Sequence, residues 1–278
     1  MTDREDLMRA HRAPGAVSGH LAVANALADA ARTATLAWFR RPALSADSKE
    51  SDRFDPVTEG DRAAEDAMRD LLARLRPQDG ILGEERGSSQ GSSGLTWILD
   101  PIDGTRGFLS GTPTWGVLIA LADSQGPFLG IIDQPYIGER FTGAPGLAEV
   151  SGPMGTAALA TRAARPLSEA IIFTTFPEVG TPAEAEAFHR LAGQCRLLRY
   201  GMDCYAYALL AAGQIDLVVE AGLQTYDIAA PIAVIEAAGG IVTDWTGGPA
   251  HQGGRVIAAA NATIHAEALK LLSLAGEP

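Results

Sequence analysis

Acidic residues stand where apolar stretches of this chain begin or end. Glu84 and Glu85 close "GILGEE", Asp100 and Asp103 close "WILDPID", and Asp227 opens "DIAAPIAVIEAAGG". Carboxylates gathered in a low-dielectric site repel one another and are costly unless protonated or matched by cations. The pattern asks for a metal ion. Every candidate donor is oxygen and no HExxH or Cys/His cluster occurs, so the ion is hard: Mg²⁺ first, with Mn²⁺ or Ca²⁺ as substitutes. The absence of a D-x-[DN]-x-[DN]-G loop sets an EF-hand aside. Pro101 fixes φ and has no N–H to donate, so the chain turns after Asp100 and can aim Asp100, the Ile102 carbonyl and Asp103 at one point. If a helix starts at the Gly104-Thr105 pair that follows, its free amides form a phosphate site. Metal and phosphate sites sharing one turn suit metal-assisted hydrolysis of a phosphate ester. The plainer reading, that these acids only cap helices, fits Asp227 alone better than it fits Asp100 and Asp103 together. "DPIDGT" also mimics the D-x-D-G-T of phosphatases that use an aspartate nucleophile, but its aspartates are three apart rather than two and do not share a face of an extended chain.

The elements that position these residues follow from periodicity. "LAVANALADAARTATLAWFRR" reads as a helix ending before Pro42, and the polar "PALSADSKESDRF" as a loop or mobile arm. "DRAAEDAMRDLLARL" sets Ala64, Met68, Leu71, Leu72 and Leu75 on one helical face, and Thr58 three residues before Asp61 makes a capping box, which places Asp61 in the first turn. The Gly/Ser-rich segment before Trp97 reads as a connector, and "WGVLIALAD" and "FLGIIDQP" as a hairpin. Beyond a Gly- and Pro-rich boundary near residue 150, strands and helices alternate, as in an α/β unit. The expected organisation is a flexible leader over 1–19, a first α+β half over 20–150 with most metal ligands, and a second α/β half over 151–278 that completes the site and the substrate pocket. The net charge of −12 argues against nucleic acid or an anionic membrane as partner. No signal-peptide pattern and no apolar run long enough to span a bilayer occur, so a cytoplasmic protein is expected. Cys195 and Cys204 are read as free thiols.

Taken together, "DPVTEGD" (55–61), "GEE" (83–85), "WILDPIDGT" (97–105) and "YDIAAP" (226–231) resemble the inositol monophosphatase family of Mg²⁺-dependent, lithium-sensitive phosphatases, in order and in spacing, from about residue 20 onward. The resemblance implies a layered α/β/α/β/α sandwich, commonly a homodimer, with the site between the halves. It implies that Glu84, Asp100 and the Ile102 carbonyl hold a first Mg²⁺ and that Asp100, Asp103 and Asp227 hold a second, with Glu84 near a third ion. It also implies that Thr105, paired with Asp61, orients the attacking water, and that the Gly104 and Thr105 amides hold the phosphate. The family's Lys-x-Asp before Pro-Val-Thr is replaced by the longer "SKESDRFDPVT", in which Lys49 is the candidate arm residue.

Within that family, "GTRGFLSGTPTWGVLIAL", "GIIDQPYIGERF" and "GMDCYAYALLAAGQIDLVVEAGLQTYDIAAP" look most like the histidinol-phosphate phosphatase branch. Asp203 and Glu220 would then face the amine and imidazole of a small-molecule phosphate ester, since paired acids suit cations where inositol needs hydroxyl partners. For Asp203 the plain alternative is a helix N-cap, and for Tyr205 and Tyr207 it is packing. The rival activities are inositol-1-monophosphatase and 3'(2'),5'-bisphosphate nucleotidase. The latter would need cations for a second phosphate, for which only Arg196 and Arg199 stand between 193 and 226. A non-catalytic regulatory protein of the same fold would show a damaged metal motif, and Glu84, Asp100, Asp103, Thr105 and Asp227 are intact.

Overall fold

The computed structural model describes residues 10–41, 46–48 and 56–273, so Lys49 and most of the arm lie outside it. Helix α1 (Pro14–Leu36) is followed by the short antiparallel pair β1 (Ala46–Ser48) and β2 (Pro56–Thr58). Helix α2 (Glu59–Leu75) comes next, then β3 (Gly80–Gly83), β4 (Gly87–Ser89) and β5 (Thr96–Asp103). Helix α3 (Thr105–Ser110) leads into a meander of β6 (Gly116–Asp123), β7 (Gly126–Gln134), β8 (Glu139–Ala144), β9 (Leu147–Gly152) and β10 (Gly155–Ala158). Then follow β11 (Ile171–Thr174), α4 (Pro182–Ala192), β12 (Leu197–Tyr200), α5 (Cys204–Ala211), β13 (Leu217–Leu223), α6 (Thr225–Ala237), β14 (Ile241–Asp244), β15 (Gly254–Ala259) and α7 (Ala262–Leu272).

These elements stack as the expected α/β/α/β/α sandwich. The eight-stranded sheet runs β10-β9-β8-β7-β6-β5-β3-β4 and the five-stranded sheet β12-β11-β13-β15-β14. Strict alternation explains why β5 and β6 read as unbroken apolar runs, since both faces of the sheet are covered. Trp97, Leu99, Val117, Ile119 and Leu121 pack against α1 and α2. Ile98, Leu118, Ala120 and Ala122 point the other way, onto α5 and α6. The same central layer meets Val218, Val256 and Ala258 of the second sheet, whose outer face is closed by α4 and α7. Helix α6 lies close on β7 and β8: a Cβ at Gly130 would stand 2.4 Å from the Ala230 carbonyl oxygen, and one at Gly143 2.4 Å from Val234 Cα.

Several boundaries differ from the expected ones. Helix α1 begins at Pro14, inside the stretch expected as leader, because proline is well placed at a first helical position and Val17 and His20 are buried. Its docking is fixed by ion pairs to the first sheet, Arg12 to Asp123 and Arg32 to the fully buried Asp133. The Gly/Ser connector contains β4, which pairs with β3. Residue 150 falls within the β9–β10 hairpin, so the first sheet continues to Ala158. Leu75, expected on the apolar face of α2, is 50% exposed in the last turn.

Candidate active site

Strand β5 carries the centre of the site, and a bulge explains the three-residue spacing of its aspartates. Asp100 pairs with Leu118 and Asp103 with Gly116, so β5 spends three steps where β6 spends two. In a regular strand residues three apart point to opposite faces; the extra residue restores both to one side. Pro101 sits in the bulge, where no ladder N–H is needed. The parallel register of β3 with β5 aligns Gly83 with Leu99 and so brings Glu84, next along, beside Asp100. Glu65, buried on α2, accepts the Glu85 and Arg86 amides at 2.7 and 3.0 Å and fixes that turn. Glu85 itself does not line the cavity. Asp227 enters from the second half, in the first turn of α6, where its Oδ2 accepts the Gln224 amide at 2.7 Å in a capping box. It therefore both caps and joins the cluster.

Oxygens of Asp100, Asp103 and Asp227 lie within 4.8 Å of one another. Burial, then the charges of Glu84, Asp103 and Asp227, push the Asp100 carboxyl well above the usual carboxylate range. Asp103 is raised likewise, by burial and by Asp203 and Asp227, against the opposing Cys204 hydrogen bond. Carboxylates so placed fit a hard divalent cation, which would remove the repulsion that now favours protonation.

Gly104 follows in a left-handed conformation, φ +82°. A Cβ there would stand 2.9 Å from Asp203 Cβ and Cγ, so only glycine lets the two halves approach at this turn. The Thr105 hydroxyl donates to the Ile102 carbonyl at 3.1 Å. Asp61 is buried; its Oδ2 accepts from the Thr58 amide at 2.8 Å and hydroxyl at 2.5 Å, while Oδ1 has no partner among the described residues. The capping box is formed, but the hydrogen bond expected between Thr105 and Asp61 is not: the Thr105 hydroxyl goes to Ile102, and Asp61 Oδ2 serves Thr58. Burial raises the Asp61 carboxyl to about 7.

Asp203 and Glu220 both line the same cavity of about 820 Å³. Asp203 precedes α5 at the N-cap position but makes no capping bond; Asp103 Oδ2 takes the Cys204 amide at 2.6 Å instead. The Asp203 backbone has φ +45°, strained for a residue with a Cβ. Its carboxyl is turned to Thr114 and Arg106, and burial lifts it to about 6 against those two. Glu220 precedes an irregularity in β13 and accepts the Thr175 hydroxyl at 2.8 Å. Burial lifts it to about 8. Tyr207 lines the cavity with a buried hydroxyl that has no partner among the described residues, whereas Tyr205 turns away to Glu139. Arg196 and Arg199 do not line it.

Three wall residues carry no obvious sequence signal: Thr175, Phe176 and Glu178, in "TTFPEVG" after β11. The tendency of α/β ligand sites to gather at the carboxyl ends of strands could have pointed to them. Arg106, which from the sequence reads as a phosphate contact or equally as a helix-face ion pair, places its guanidinium 4.8 Å from the Phe176 ring centre. Glu65 is betrayed only by lying on the buried face of α2, four residues after Asp61.

A layered α/β sandwich with an acidic oxygen-donor cluster beside a glycine turn defines a metal-dependent phosphatase. The sequence model of the inositol monophosphatase family matches residues 18–276, and the chain belongs to that family. It is 40% identical over 263 residues to the bifunctional phosphatase IMPL2, chloroplastic, of Arabidopsis thaliana, covering 90% of this chain and 74% of the relative. With the histidinol-phosphatase of Mycobacterium tuberculosis it shares 35% over 256 residues, 91% of this chain and 97% of the relative. The structure of an inositol monophosphatase from Zymomonas mobilis superposes with a TM-score of 0.82 at 40% identity, over 93% of this chain and 99% of that one. Relatives named for either substrate class are thus similarly near.

Proposed function

We propose that this phosphatase hydrolyses histidinol phosphate to histidinol and phosphate, a step of histidine biosynthesis. The observation that carries the reading is the charge of the cavity wall. Beyond Glu84, Asp100, Asp103 and Asp227, its described lining residues include three further carboxylates, Glu178, Asp203 and Glu220, and among them Arg106 is the only Lys or Arg. The first four are matched by Mg²⁺, two or three ions in all, with Mn²⁺ as a substitute. The other three suit an ester whose alcohol bears an amine and an imidazole, both able to be cationic. A cation beside Glu220 would draw its raised carboxyl back toward the charged form.

Glu84, Asp100, the Ile102 carbonyl, Asp103 and Asp227 would hold the ions. Bound there, the ions supply Lewis-acid activation of the phosphoryl group and of a water. The amides of Gly104 and Thr105 hold the phosphate oxygens. The Thr105 hydroxyl turns from Ile102 to the water, and the unpartnered Asp61 Oδ1 takes its proton in relay, with Glu84 on the same side. A carboxyl that titrates at about 7 is well matched to exchanging a proton near neutral pH. The same reading takes the protein as a cytoplasmic homodimer. No helix among the described residues is long and apolar enough to cross a membrane.

The test is a panel of histidinol phosphate, inositol-1-phosphate and 3',5'-bisphosphoadenosine, each with Mg²⁺ and with chelator. Histidinol phosphate should give the highest kcat/KM; a higher value for inositol-1-phosphate, which the likeness to the Zymomonas enzyme would favour, overturns the substrate assignment. Activity that survives full chelation overturns the metal requirement.

A further inference from the structure

The three carboxylates of the outer wall differ in what already engages them. Glu220 accepts the Thr175 hydroxyl. Asp203 is held by Thr114 and faces Arg106. Glu178 lines the same cavity, is exposed, and has no hydrogen bond or ion pair to any described residue. Its place is nevertheless fixed. Pro177 precedes it, and the Pro177 carbonyl accepts a hydrogen bond from His189 Nε2 at 3.0 Å. Val179 follows, 3% exposed and at φ +39°, a left-handed conformation that a β-branched residue holds only where its surroundings impose it. On the cavity side, Phe176 is tied across the cleft by its stack with Arg106, and Thr181 opens α4 in a capping box with Glu184. A strained, doubly anchored loop thus presents one exposed, unengaged carboxylate on the wall of the pocket that also holds the Asp100, Asp103 and Asp227 cluster.

We propose that Glu178 is the specificity-determining residue by which this pocket favours phosphate esters carrying a positive charge on the alcohol part. The inference rests on the reading of the substrate as a cationic ester, and it names which carboxylate makes the selection. A partly exposed carboxylate gives a modest, salt-sensitive preference expressed in binding rather than in the chemical step.

The experiment compares wild type with Glu178→Gln in Mg²⁺, measuring kcat and KM for histidinol phosphate and for inositol-1-phosphate. The variant's ratio of kcat/KM, cationic over neutral, should fall roughly three- to tenfold. The fall should come through KM with kcat within about twofold, and should shrink as salt is raised. The thermal midpoint should not move, because the side chain is exposed and without partners among the described residues. An unchanged ratio, or equal losses on both esters, overturns the role of Glu178. The wild type's own preference bears separately on the proposed function: a wild type that favours the neutral ester overturns that reading, while the change of ratio still decides Glu178. A wild type with no activity on the cationic ester overturns both.

Discussion

Asp61 and Asp100 are both buried carboxyls, yet they should respond to amidation in different ways. Asp61→Asn keeps a side-chain oxygen for the Thr58 amide and removes the proton acceptor, so folding should change little while kcat falls by about 100-fold or more. Steady-state kinetics beside a thermal melt checks this; retained kcat would reduce Asp61 to a helix cap. For Asp100 the readout is stability without metal. Its folded-state carboxyl is raised, so the folded chain holds a proton that the unfolded chain releases. That contribution is present at acid pH and is lost as pH rises through the folded value. With chelator, the urea midpoint of the wild type should therefore fall on going from pH 5 to 8, and Asp100→Asn should make the fall shallower. A slope equal to that of the wild type would sink the claim. Asp100, Asp103 and Asp227 were legible because apolar runs flank them, and Pro101 hinted at their common aim. Asp203 was legible only as a position. Its strained φ and the capture of the Cys204 amide by Asp103 are tertiary events, since a residue 101 positions away supplies the cap.

Among the elements, α1 buries a histidine that resists being charged where it lies. His20 is 3% exposed, both its ring nitrogens lack hydrogen-bond partners among the described residues, and its ring stands edge-on to Phe128 of β7. Burial, with Arg76 and His11 nearby and Asp79 opposing, lowers it to about 4. The unfolded chain then binds the proton more readily, so the neutral ring's contribution is whole above about pH 6.5 and is lost as pH falls toward 4. His20→Leu should remove part of the acid destabilisation between those values, at most ~1.4 kcal/mol for each pH unit. Urea titrations at pH 7, 6 and 5 would show the variant and wild type converging at the high end only if the leucine packs as well; identical slopes would refute the role. Helix α2 offers a control away from ionisation: Met68→Ala, at 0% exposure, should cost ~2–5 kcal/mol at every pH. The amphipathic stripe made α2 readable, and apolar length made β5, β6, α5 and α6 readable. The short edge strand β12, the helix α4 and the strand β14 lacked such runs, and the start of α1 hid in a polar stretch docked by long-range contacts, Arg12 with Asp123 and His20 with Phe128.

At the scale of the molecule, the two sheets share one central layer, and the site is assembled from both. Helices α5 and α6 pack on β6 and β7 of the first sheet and on β13 and β15 of the second, within one apolar cluster. Asp100 and Asp103 come from the first sheet, Asp227 from α6, and the Asp103–Cys204 bond crosses between them. An ion shared by Asp100, Asp103 and Asp227 would therefore need both halves folded. Cation binding to the folded state alone stabilises it by RT ln(1 + [M]/Kd), about 2.7 kcal/mol per ion at 100 times Kd. For a chain of this length that is a rise of several degrees, at about 2–4 °C per kcal/mol. Scanning calorimetry should therefore show one transition in chelator and one transition in Mg²⁺, displaced as a whole. Asp227→Asn should shrink the displacement to half or less and, by relieving repulsion, should not lower the midpoint in chelator. Two transitions, only one of which moves with Mg²⁺, would show instead that the halves unfold independently and that the ions are held by the first half alone. The Gly- and Pro-rich boundary that the sequence places between the halves near residue 150 is where such independence would begin. The hairpin of β9 and β10 argues against it, because it continues the first sheet through that boundary, and α6 returns from the far half to cover the same sheet.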